Sequence, residues 1–161
     1  MTAFTTPITW TAGQTVTATS LNAQLRDNML HASEIQTYTP TLTQGAAVTK
    51  TVNYARYWQT GKRVQAQVFL SVTATGTASV QVAVSLPVTA AAVVPLSMAL
   101  GSGWIYDASP TPTLYQGAVL LATTTTAALR IDGSTNNVGA FPSFALGSGD
   151  IVTFSFDYEA A

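Results

Sequence analysis

The sequence predicts a mainly β protein, an antiparallel β-sandwich of jelly-roll-like topology preceded by an extended N-terminal arm and one α-helix. Three observations carry that prediction. Thr (27), Val (15) and Ile (5) make 47 of the 161 residues β-branched, and such side chains are stiff in a helix but pack well on a pleated surface. Apolar and polar residues alternate with a period of two through residues 63–73 and again through 79–86, as they do when one face of a strand is buried. Turn-forming stretches (TGK, GSG, SPTP, DGSTNN, GSGD) recur at the spacing of an antiparallel sandwich or barrel.

Residues 1–19 read as the extended arm, because Pro7 and Gly13 punctuate them and eight threonines disfavour helix. The period then changes. Thr19 or Ser20 is placed to cap the segment LNAQLRDNMLHASEIQ, in which Leu21, Leu25, Asn28 or Met29, Ala32 and Ile35 share a face at spacings of three and four. Arg26, Asp27 and Glu34 fall away from that stripe, as on a solvated face. About four turns make a helix that persists only when packed against something.

From Thr37 onward the pattern is β. Val64, Ala66, Val68, Leu70 and Val72 point one way, and Gln65, Gln67, Phe69, Ser71 and Thr73 the other. Val80, Val82, Val84 and Leu86 oppose Ser79, Gln81, Ala83 and Ser85 in the next run, and the short TGTA between the two predicts an antiparallel hairpin over residues 63–86. Further strands are expected at 48–59, 93–100, 103–106, 114–122, 127–131 and 151–158. Strand count alone favours the jelly roll. The chain divides into an attachment and oligomerisation segment, 1–36, and a β-sandwich domain, 37–161.

Charge is scarce. Asp, Glu, Lys and Arg make up 8% of the chain, with six basic and seven acidic residues and a formal net charge of −1, against about 25% charged residues in ordinary soluble domains. Between Val64 and Leu129 the one charged side chain is Asp107. No basic footprint exists for nucleic acid or an anionic membrane. A surface this poor in charge is expected to be covered by neighbouring subunits or by a larger particle. Residues 1–10 have neither the basic start nor the apolar run of a secretory signal, and the longest apolar stretch, 90–100, is too short to span a bilayer and contains Pro95.

The residues offer little chemistry. There is no cysteine and one histidine, His31, so neither a thiolate nor a histidine-rich metal centre is expected, and no cofactor. Asp107, Asp132, Asp150, Asp157 and Glu159 show no spacing that pairs two carboxylates for hydrolysis. DGSTNN at 132–137 resembles an oxygen-rich calcium loop only faintly, and local side-chain to backbone hydrogen bonding explains it as a turn. Asp150, after Gly147 and Gly149, reads the same way. GSGW at 101–104 lacks the strand–glycine–helix context of a phosphate loop. No enzyme is expected. Tyr54, Tyr57 and Trp58 in NYARYWQTGKR, and Trp104 beside Tyr106, are candidate stacking contacts for a glycan. Cross-strand packing is the commoner use of such clusters, and both uses stay open here.

The segment ITWTAGQTVTATSLNAQLRDNMLHA (8–32), through Trp10, Gly13, Val16, Thr17, Ala18, Leu21, Asn22 and Leu25, resembles the N-terminal motif of tail-associated and fibre-like structural proteins of bacteriophages, particularly those of actinobacterial hosts. It covers about a sixth of the chain. The stretch from YTPTLT through the ARYWQTGKRV hairpin to VSLPV is similar to the β-rich tip domains of such virion proteins. The resemblance implies a non-enzymatic, usually trimeric virion component, assembled in the host cytoplasm. Its N-terminal segment docks to tail or capsid proteins while the β-domain faces outward. On that reading Trp10, Gly13, Val16, Thr17, Leu21 and Asn22 attach to the particle. Leu21, Leu25, Asn28, Met29, Ala32 and Ile35 form the seam between subunits, with Asn28 fixing register. The stripe has two candidate partners, its own sandwich or its copies, and the motif favours the copies. Without shaft repeats, the expected appendage is short: a tail tip or spike, a head fibre or a capsid decoration protein. A receptor-binding module for host cell-surface glycan is the alternative.

Overall fold

Val64, Ala66, Val68, Leu70 and Val72 are buried and the residues between them face outward, so the alternation read from the sequence becomes strand β5. In the computed structural model, which describes residues 8–29, 34–109 and 111–161, ten strands form one curled antiparallel sheet. They are β1 Gln36–Thr37, β2 Leu42–Gln44, β3 Ala46–Ala47, β4 Lys50–Thr60, β5 Arg63–Val72, β6 Ala83–Ser85, β7 Ala99–Asp107, β8 Thr113–Thr123, β9 Thr126–Arg130 and β10 Ile151–Glu159. Their order across the sheet is β1-β4-β5-β10-β7-β8-β9-β6-β2-β3. Within it β7, β8 and β9 follow one another and β10 returns beside β7, giving the order β10-β7-β8-β9 of a Greek key. The sheet folds over one core, to which Leu42, Leu70, Val84, Ile105, Val119, Leu121, Leu129, Val152 and Phe154 contribute fully buried side chains. The expected sandwich-like β-domain is present; its hydrogen-bonded ladder runs unbroken through both layers.

Several expectations are corrected. The hairpin of β5 is made with β4, Thr60 opposite Arg63, and not with residues 79–86. The reason is the turn: Gly61 has φ +58, and a two-residue turn with a left-handed glycine matches strand twist, which the ten residues after Val72 do not. β6 pairs instead with β9 and β2. The strand expected at 93–100 is a loop up to Met98, interrupted at Pro95 and by Ser97 at φ 66, with Val93, Leu96 and Met98 exposed. GSG at 101–103 is not a turn but lies inside β7. A Cβ on Gly101 would come within 2.2 Å of the Ser155 carbonyl oxygen, so the missing side chain lets β10 approach.

Near the N-terminus the helix starts earlier than its periodicity indicated. Thr17, not Thr19 or Ser20, is the cap: its hydroxyl accepts from the Ser20 amide while Ser20 Oγ accepts from the Thr17 amide. Helix α1, Ala18–Leu21, passes into π-helical turns over Asn22–Asp27 and continues through Met29. Gln36 is already strand, so the predicted helix end at 36 is too late. The arm is not simply extended. A turn joins Thr11 to Gln14 around Gly13, and the Ile8 amide donates to Gln24 Oε1, folding the arm back on the helix. Ala32 and His31 lie outside the described residues. Among those described, no helix is long and apolar enough to cross a membrane.

Candidate functional site

The face of the sheet away from the core is laid out by one β-bulge. Val52 pairs with Leu70 but Tyr54 with Phe69, leaving Asn53 as an extra residue whose Nδ2 donates to Ser71 Oγ. A one-residue shift of register exchanges the faces of everything beyond it. Tyr54, Arg56 and Trp58 therefore face outward, and Ala55 and Tyr57 face the core. Tyr57 is half-buried and packs edge-on against Tyr38, ring centroids 5.8 Å apart, while still lining the first depression beside Trp58.

Strand register then assembles two parallel rows. One runs Tyr54–Phe69–Thr153–Trp104–Gln116 across β4, β5, β10, β7 and β8; the other, two residues along each strand, runs Arg56–Gln67–Ser155–Ser102–Ala118. Phe69 and Trp104 meet edge to face across Thr153 at 6.3 Å, and the Arg56 guanidinium stands 5.5 Å from the centre of the Tyr54 ring. Tyr54 and Trp104, far apart in sequence, thus share a row. Trp58, 44% exposed, belongs to a third row with Gln65 and Asp157.

Three depressions follow these rows. The first, about 410 Å³, is lined by Trp58, Arg56, Gln67 and Ser155, with Ile35. The second, about 470 Å³, shares Tyr54, Gln67 and Ser155 with it and reaches Phe69 and Thr153. The third, about 590 Å³, is bounded by Trp104, Leu114, Gln116 and Ile151. One ion pair borders the face. Asp157 accepts from Arg63 Nε at 2.9 Å and from Gln65 Nε2 at 2.6 Å, and the Arg63 guanidinium holds its carboxyl below the usual carboxylate range.

Three other acidic residues of the β-domain serve the backbone. Asp150 accepts from the amides of Ala108 and Gly147, each at 2.8 Å, and burial raises its pKa. Asp107 accepts from the Ser109 amide, and Asp132 from that of Gly133. Among the described residues no three His, Asp or Glu side chains gather into a set able to hold a metal ion.

The N-terminal candidates are disposed differently. Trp10, Val16, Leu21, Leu25 and Met29 are all exposed, and no residue of Ala18–Asp27 is buried. Gly13 forms the arm's turn and Thr17 the helix cap. Asn22 continues the helix, its amide donating to the Ala18 and Thr19 carbonyls. Asn28 Nδ2 donates to the Gln24 carbonyl one turn back. Ile35 is not on the helix but lines the first depression.

Sequence reasoning missed Arg56, Phe69, Gln67, Ser155, Ser102 and Gln116 as members of this face. The alternation in β5 already put Gln67 and Phe69 on its polar side, but no sequence signal tells that β10 flanks β5 opposite β4. Comparison with protein-family models, with characterised proteins and with solved structures returns no match for this chain.

Proposed function

We propose that this chain is a non-enzymatic structural protein of a bacteriophage virion, a trimeric appendage that docks by its N-terminal segment and displays the β-domain outward. The observation that carries the reading is the uncovered helix. Leu21, Leu25 (55% exposed) and Met29 (71% exposed) form an apolar stripe with no residue of Ala18–Asp27 buried against the sheet. A helix this short needs packing to persist, and three copies joined along the stripe supply it. Trp10, 41% exposed on the arm, suits the role of aromatic anchor on a particle protein. The motif at 8–32 and the scarcity of charge support the same reading. Its test is mass spectrometry of gradient-purified particles from a lysate expressing the gene. The proposal expects the chain among the virion proteins; its restriction to the particle-free fraction contradicts it.

A second reading, a module that binds host-surface glycan, is favoured by the row containing Tyr54, Phe69 and Trp104, because aromatic faces beside amides and hydroxyls suit sugars. The two readings are compatible within one appendage.

A further inference from the structure

We propose that the outer face binds a linear, neutral glycan laid perpendicular to the strands and spanning about four sugar units between Tyr54 and Gln116. The proposal rests on the glycan reading and gives it a direction, a length and a charge.

The direction comes from the register. The aromatic row crosses five strands in one line, Tyr54 to Phe69, Thr153, Trp104 and Gln116. Sheet twist rotates strands about such a row and leaves the row itself continuous. The length comes from strand spacing: four steps of about 4.8 Å give a track of roughly 19 Å, and one pyranose unit advances a chain by about one such step.

The class of ligand comes from the pairing of the rows. Arg56, Gln67, Ser155 and Ser102 stand two residues from the aromatic row on each strand, about 7 Å away. An occupant must therefore offer apolar and hydroxyl surface within the width of one ring. A pyranose does: its C–H face stacks on Tyr54 or Trp104 while its hydroxyls reach the amide and hydroxyl row.

The charge comes from what faces the track. Arg56 is the one charged side chain in the two rows and lies over Tyr54. Asp157, beyond them, is occupied by Arg63 and Gln65. A polyanion finds no cluster of cations here, and a polycation no free carboxylate.

The experiment is titration calorimetry of the full chain with linear gluco- and manno-oligosaccharides of one to six units, with oligogalacturonate as the anionic comparison. Affinity is expected to climb to about four units and then level. Tyr54→Ala and Trp104→Ala should each weaken binding of the tetrasaccharide by ~10-fold or more, while Trp10→Ala leaves it unchanged. Trp104 also packs on Phe69, so Gln67→Ala, at an exposed position of β5, is the second probe and should weaken binding severalfold. A monosaccharide bound as tightly as the tetramer, or binding lost in Trp58→Ala and kept in Trp104→Ala, overturns the track but leaves the glycan reading standing. Preference for oligogalacturonate overturns the neutral class. No binding by any of these at millimolar concentration overturns the track and the glycan reading together.

Discussion

Two tyrosines with inward hydroxyls, Tyr158 buried and Tyr38 half-buried, show how differently one hydroxyl behaves according to its partners. Tyr158 Oη donates to the Val88 carbonyl at 2.6 Å and accepts from the Val88 amide, tying β10 to the segment after β6. Tyr38 Oη is buried with no partner. Removing a satisfied hydroxyl leaves its former partners orphaned, while removing an unsatisfied one relieves a desolvation cost. Tyr158→Phe is therefore expected to lower unfolding free energy by about 1–3 kcal/mol, and Tyr38→Phe to leave it unchanged or raise it. Urea titration of both variants checks this. Burial also pushes Tyr158 up to about 12, and Tyr38 upward as well. The folded state then keeps protons that the unfolded chain releases near pH 10, so stability is full below that pH and falls as pH rises above it. In Tyr158→Phe that alkaline fall should be shallower; a fall as steep as in the parent chain would mean that Tyr158 ionises freely.

Among elements, a strand's own pattern and the tight TGK turn to its neighbour were legible, and its distant partners were not. The alternation of Val64 to Val72 located β5 and its buried face because burial of one face writes itself into the chain with a period of two. Pairing depends on residues far away, so the flanking of β5 by β10 left no mark near residue 63. The bulge at Asn53 was likewise invisible, and with it the change of register between Val52, opposite Leu70, and Tyr54, opposite Phe69. Glycines misled most at β7, where GSG looked like a turn. Gly101 is there for close approach, and Gly101→Ala should destabilise by about 1–3 kcal/mol through its clash with the Ser155 backbone. Gly147, in a true turn with nothing within 4 Å of an added Cβ, serves as the comparison: Gly147→Ala should be neutral or gain up to about 1 kcal/mol. Thermal unfolding of the pair reads the difference, and equal effects would place Gly101 in a turn after all.

At the scale of the molecule, the scarcity of charge and the uncovered N-terminal stripe point the same way. The β-domain closes over its own core: Gln44, the one buried polar side chain of β2, donates to the carbonyls of Val80 and Phe144 and accepts from the Leu146 amide, holding two long loops against that core. The helix does not, since Leu21, Leu25 and Met29 remain exposed while the β-domain has its core complete without them. Periodicity could show that the stripe exists but not what covers it, because its own sheet and a second copy present the same kind of surface. The measurement that decides is the molar mass of the full chain by light scattering over a dilution series, beside Leu25→Asp. A trimer of the parent chain that becomes a folded monomer in Leu25→Asp is the predicted result. A parent chain that stays monomeric at every concentration would contradict the account.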